Sequence, residues 1–210
     1  MDDILVFGHS ITKGMWDIEG GWVQRLENFL NTRALETQEE ENICYVYNLG
    51  VSGDTTEHLL KRLEEEYRRR TEERYDTLLM IQIGANDTII QNGDVNIGKE
   101  EFEANFEQLL KTSKRIADEV IVVGDFPVAK DMEEIPYAPD NILRNEKVHE
   151  YEDIKEKVTN KHDIEYIDLF KTVKEEKNTK FLEEGVHPTS EGHKLIFQEV
   201  KERLEEKELI

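Results

Sequence analysis

The sequence predicts an α/β protein built on a parallel sheet with helices on both faces, and three observations support this. Short β-rich apolar runs alternate with amphipathic helical stretches from one end of the chain to the other, the order that a parallel sheet with right-handed crossovers requires. Hydrophobic residues make up 37% of the 210 residues and recur at regular intervals, which argues for a packed core despite the high charge. No internal repeat, low-complexity linker or break in composition divides the chain, so residues 1–210 are expected to form one domain.

Taken in order, the first strand candidate is Ile4–Phe7. It is followed by a helical stripe of Trp22, Val23, Leu26, Phe29 and Leu30. Ile43–Leu49 is the second strand, with Cys44 as a small buried hydrophobe, and Leu59, Leu60, Leu63 and Tyr67 mark the next helix. Leu78–Ile83 is the third strand, and Phe102, Phe106, Leu109 and Leu110 share the following helix face. Val120–Val123 and Ile164–Ile167 complete the strands, and Leu195, Ile196 and Val200 begin a last helix. These stripes are core faces, spaced as one side of a helix. Residues 126 to 141 carry Pro127, Pro136 and Pro139 and read as a long surface loop. In such sheets ligands bind beyond the carboxyl ends of the strands, at the switch in strand order. Functional residues should therefore cluster just after strands.

Charge excludes some functions. The chain has 48 acidic and 27 basic residues, a formal net charge of −21, and such a surface repels both phosphate backbones and anionic lipid. Neither nucleic acid nor membrane is an expected partner. Cys44 is the sole cysteine, so no intrachain disulfide can form. No stretch reaches transmembrane length. The chain opens Met1-Asp2-Asp3 and reaches Gly8 after four apolar residues, which is not the pattern of a signal peptide. A cytoplasmic location is expected.

Three strand ends carry polar groups of unusual density: Gly8-His9-Ser10-Ile11-Thr12, Asn48-Leu49-Gly50-Val51-Ser52-Gly53-Asp54-Thr55, and Gly84-Ala85-Asn86-Asp87. Each alone is ordinary turn chemistry; their placement at successive strand ends is not. A fourth segment, Glu184-Gly185-Val186-His187-Pro188, sets a carboxylate three residues before a histidine where Gly185 and Pro188 disfavour a helix. Such a pair can bind one ring nitrogen and leave the other for a hydroxyl. Glu146 and His149 have the same spacing but lie in a charged, helical stretch and read as a solvated face. His58, His162 and His193 show no metal-ligand spacing, so no metal is expected. No glycine-rich phosphate fingerprint follows a strand, which argues against a nucleotide or flavin binder.

These four segments resemble, in order and across nearly the whole chain, the four sequence blocks of the SGNH (GDSL-type) hydrolases. The resemblance implies a flavodoxin-like three-layer α/β/α sandwich with a five-stranded parallel sheet, ester hydrolase activity and no cofactor. It makes Ser10 the nucleophile and His187 its base, with the Ser10 N–H, the Gly53 N–H and the Asn86 side chain as oxyanion donors. Two positions depart from the family: His9 stands where an aspartate precedes the nucleophile, and Glu184 where an aspartate completes the triad. Physical chemistry supports the roles, since a serine hydroxyl is a weak nucleophile until an imidazole takes its proton. Gly53 precedes a helix opening near Asp54 and Thr55, so its amide lies at the positive end of a dipole. Asp87 is expected to hold its own loop.

With no lid domain or long apolar insertion, short acyl or acetyl esters are the expected small-molecule substrates. Trp16, Phe126 and Tyr137 are candidates for lining the pocket. Two other readings keep the same fold: an acyltransferase using the same site, and a binding module that has lost catalysis, suggested by His9 and Glu184.

Overall fold

A computed structural model describes residues 1–128, 135, 138–176, 182 and 185–210. Its elements run β1 (Asp3–Gly8), α1 (Ser10–Lys13), α2 (Gly21–Thr37), β2 (Tyr45–Gly50), α3 (Thr56–Arg68) and β3 (Thr77–Gln82). They continue with β4 (Ile90–Gln91), β5 (Asp94–Val95), α4 (Lys99–Ile116), β6 (Glu119–Val123) and β7 (Asn141–Ile142), then α5 (Asn145–His162), β8 (Glu165–Ile167), α6 (Leu169–Glu176) and α7 (Ser190–Glu206). Five strands form one parallel sheet in the order β2-β1-β3-β6-β8. The chain crosses from β2 back past β1 to β3, so the order switches between β1 and β3.

The sheet divides the core by strand alternation. Ile4 and Val6 of β1 face one way, with Leu78, Met80, Ile121 and Val123, and pack on Trp22, Val23, Leu26 and Leu30 of α2 and Ile196, Val200 and Leu204 of α7. Leu5 and Phe7 face the other way, with Leu79, Ile81 and Val122, and meet Leu59 and Leu63 of α3, Phe102 and Phe106 of α4, and Tyr151 of α5. Each face of each central strand is thus buried, which is why these strands read as apolar runs in the sequence. The result is the three-layer α/β/α sandwich that the resemblance implies.

A second, small sheet was not anticipated. Its order is β5-β4-β7, all antiparallel. Asn92 and Gly93 turn the β4–β5 hairpin with φ of 54° and 92°, the left-handed pair that such a two-residue turn demands. β7 ties the end of the proline-bearing loop to β4. That loop is only partly a surface feature: Phe126, Val128 and Ile135 are buried, and Val128 and Ile135 join Leu143, Val148 and Phe170 in a third apolar cluster. Cys44 is buried as expected, and burial pushes its thiol up to about 11. No helix among the described residues is long and apolar enough to cross a membrane.

Candidate active site

Ser10 lies at the first turn of α1, directly after the C-terminal end of β1. The residue before it, His9, caps that turn: its Nδ1 accepts the Ile11 N–H at 3.3 Å. A buried Gln82 holds the turn from below, its Oε1 accepting from Thr12 Oγ1 at 2.9 Å and from Trp22 Nε1 at 3.0 Å. The serine is therefore presented by a rigid strand end rather than by a free loop.

His187 arrives from the other end of the chain, three residues before α7. Its Nε2 lies 2.8 Å from Ser10 Oγ, joining residues 177 apart in sequence. The partner expected on the other side of its ring, Glu184, lies outside the described residues. His149, the histidine of the rival pair, is half exposed on α5 and meets Asp153, not Glu146.

Gly53 follows β2 and precedes α3, with φ of +86°. That conformation favours glycine, and the space where a Cβ would stand is open. Asp54 next door is paired with Arg62 at 2.8 Å, and the same guanidinium donates to Leu49 O at 2.9 Å and Gly8 O at 3.3 Å. Arg62 thus clamps the Gly53 turn onto the ends of β1 and β2, a role the sequence did not reveal. Asn86 sits in the 3₁₀ turn Ala85–Thr88 after β3. Its Nδ2 donates to Asp54 O at 2.9 Å and its backbone oxygen accepts from Asn96 Nδ2 at 3.0 Å. One hydrogen of the side-chain amide fixes its orientation.

Asp87, expected to hold its own loop, reaches instead across to the start of α3. Buried completely, it accepts from Thr56 N at 3.1 Å and Thr56 Oγ1 at 2.5 Å, which fastens the start of α3 and hence the Gly53 turn to the Asn86 turn. Burial pushes its carboxyl up to about 6, against the opposing pull of those hydrogen bonds.

Ser10, Gly53, Asn86 and His187 all border one cavity of about 490 Å³, whose apolar lining includes Phe126, Val128, Ile135, Leu143, Val148 and Val186. Phe126 and Trp16 both border it; Trp16 is half exposed at φ 68°. Tyr137 lies outside the described residues. His193 of α7 is fully buried nearby, and burial holds its imidazole down to about 4. Among the described residues no group of three histidine, cysteine, aspartate or glutamate side chains could hold a metal ion.

A serine–histidine pair thus stands at the switch point of a parallel α/β sheet, with Gly53 and Asn86 bordering the same cavity. The comparisons make the class specific. The GDSL-like lipase/acylhydrolase family profile matches residues 6–195, and the chain belongs to that family of hydrolases. Among solved structures, a lipase/acylhydrolase from Enterococcus faecalis is 26% identical with a TM-score of 0.71, covering 99% of this chain and 97% of that one. A variant of an acetyl xylan esterase from Geobacillus stearothermophilus shares the fold at 19% identity and a TM-score of 0.72, covering 95% and 92%. An α/β hydrolase from the Lake Arreo metagenome shares it at 16% identity and a TM-score of 0.70, covering 95% and 93%. A comparison with curated protein sequences returned no match.

Proposed function

We propose that the protein hydrolyses carboxylic esters through an acyl-enzyme on Ser10, with the acyl group seated in the apolar cavity. The observation that carries this reading is the 2.8 Å contact between Ser10 Oγ and His187 Nε2 at the border of that cavity. As Ser10 Oγ attacks the ester carbonyl, its proton passes to His187 Nε2, and the carbonyl oxygen becomes an oxyanion. The Ser10 and Gly53 N–H groups and the Asn86 amide receive that charge, where one fixed donor is worth about 3–4 kcal/mol. His187 then protonates the departing alcohol, and water repeats the sequence to release the acid. Glu184 is proposed as the group that orients His187 from its other nitrogen, on the strength of its spacing.

The cavity bears on the substrate. An acetyl group needs far less than 490 Å³, and the walls beyond Ser10 are aliphatic and aromatic. This favours an apolar acyl chain over the carbohydrate acetates named for the Geobacillus enzyme, and extends the expected acyl range beyond the shortest esters. Hydrolysis of p-nitrophenyl butyrate by the wild type, abolished in a folded Ser10→Ala variant, tests the nucleophile. Fluorophosphonate labelling located at Ser10 is the matching positive result, and near wild-type turnover by Ser10→Ala would overturn the assignment. An acyl series tests the cavity. Each methylene buried contributes about 0.8 kcal/mol, so kcat/KM should climb about fourfold per carbon from acetyl to a maximum between butyryl and octanoyl. A maximum at acetyl would return the substrate to the short esters.

A further inference from the structure

Beneath the site lies a chain of buried ionisable groups that ester hydrolysis as written does not use. Asp125, two residues after β6, is fully buried. Its Oδ1 lies 2.7 Å from His9 Nε2, and its Oδ2 accepts from Ala85 N at 3.1 Å and from Lys155 Nζ at 2.9 Å. His9 is the residue before the proposed nucleophile, and Ala85 the residue before the proposed oxyanion amide. One carboxylate therefore holds both, one oxygen on each. Because His9 Nδ1 accepts the Ile11 amide, its ring proton sits on Nε2 and is donated to Asp125.

The carboxylate is itself held firmly. Lys155, on α5 and without solvent exposure, also donates to Ile83 O at 3.0 Å and pairs with Glu152. Glu152 accepts from the Asp125 N–H at 3.1 Å and from the Tyr166 hydroxyl. Gly124 makes room for this: a Cβ there would stand 2.8 Å from Glu152 Oε2 and 2.9 Å from Tyr166 Oη. Burying so many charges is costly unless each is met by a partner, and here each is.

From this arrangement we infer that Asp125 is a positioning residue, setting the spacing between the Ser10 turn and the Asn86 turn through His9 and the Ala85 amide. His9 is then the working half of a bridge that an aspartate at the same position could not form, since two carboxylates would face each other. The inference rests on the roles proposed for Ser10 and Asn86, and a displacement of about 1 Å between reacting groups can cost roughly 10²-fold in rate.

Asp125→Asn tests it. The amide keeps the shape, but both positions face donors: with its oxygen toward Lys155 Nζ and the Ala85 N–H, its NH₂ meets the His9 Nε2–H, and with the amide flipped it meets the other two, so either orientation breaks one half of the bridge. On an ester that the wild type hydrolyses and Ser10→Ala does not, kcat should fall about 10²-fold with KM changed less than about threefold. Unchanged kcat in a folded but less stable protein would overturn the positioning role while leaving the nucleophile assignment intact. A second pair keeps the test sharp if Asp125→Asn fails to fold. His9→Gln retains a donor that can reach Asp125, and His9→Leu does not. His9→Leu should lose at least tenfold more kcat than His9→Gln at similar KM, and equal losses in the two would overturn the bridge.

Discussion

Asp87 and Asp125 stand at the C-terminal ends of neighbouring strands, both fully buried and both bound to backbone amides. Their acidities are displaced in opposite directions. Burial lifts Asp87 to about 6, and the hydrogen bonds from Thr56 only partly oppose it. Burial acts on Asp125 too, but the charge of Lys155, together with the hydrogen bonds from His9 and Lys155, outweighs it and holds the carboxyl well below the usual range. Glu152, sharing the same lysine, shows the limit: burial, aided by Asp125, takes it up to about 7. Neutral donors can place a buried carboxylate, but a buried cation is what keeps it ionised. The turn beside Ser10 is thus braced by a charge that persists at any working pH, and the α3 start by one that titrates.

The largest effect expected from this contrast comes from removing the cation. Lys155→Met leaves Asp125 and Glu152 buried without a counter-charge, and breaking a buried pair in this way costs about 3–5 kcal/mol. For a chain of this size that corresponds to a Tm lower by about 6–20 °C. Adding Asp125→Asn to Lys155→Met should then cost less than Asp125→Asn costs alone, a coupling that a double-mutant cycle reads directly. A loss below about 1 kcal/mol for Lys155→Met would mean that Asp125 is held as Asp87 is, by hydrogen bonds, and the contrast would collapse.

The two regions also differ in how far the sequence disclosed them. The five strands of the main sheet are placed within two residues at each end; the central β1, β3 and β6 read as uninterrupted apolar runs because both their faces are buried, and the edge strands β2 and β8 as shorter, more mixed ones. Ser10, Gly53, Asn86 and His187 were legible as polar residues at strand ends and in a Gly/Pro-bounded loop, and the structure gathers all four around one cavity. Asp87 was read as holding its own loop, and its actual partner, Thr56 at the start of α3, is 31 positions away and was not legible. Asp125, Glu152 and Lys155 went unseen. Asp125 meets His9 across 116 positions, and Glu152 and Lys155 lie in the charged stretch of α5, where such a pair reads as solvent-facing. The signal available was their place in the stripe: the buried residues Val148, Tyr151, Val158 and Thr159 flank them at helical spacing, so both charges occupy core positions. The β4–β5 hairpin was missed because two-residue strands carry no periodicity, although Asn92-Gly93 marked its turn.

The smallest and most selective effect should come from Asp87. Its folded carboxyl titrates at about 6, above the ordinary aspartate value of 3.8, so between those values the folded state binds more protons than the unfolded chain. Stability contributed by this group is therefore complete below about pH 4 and declines as pH rises through 6. Other carboxylates, Asp125 and Asp17 among them, are held down and act in the opposite sense, so the wild-type curve alone does not isolate the effect. Asp87→Asn isolates it. The asparagine oxygen can still accept the Thr56 N–H and its amide can donate to Thr56 Oγ1, while nothing at the position titrates. The stability of the wild type relative to this variant should fall by about 2 kcal/mol between pH 4 and 6.5, with a slope no steeper than about 1.4 kcal/mol per pH unit. Thermal or urea unfolding of both proteins across that range gives the difference curve. Parallel curves would show that Thr56 keeps Asp87 ionised without a cation, and that the buried lysine beneath Ser10 answers a need of placement rather than of charge.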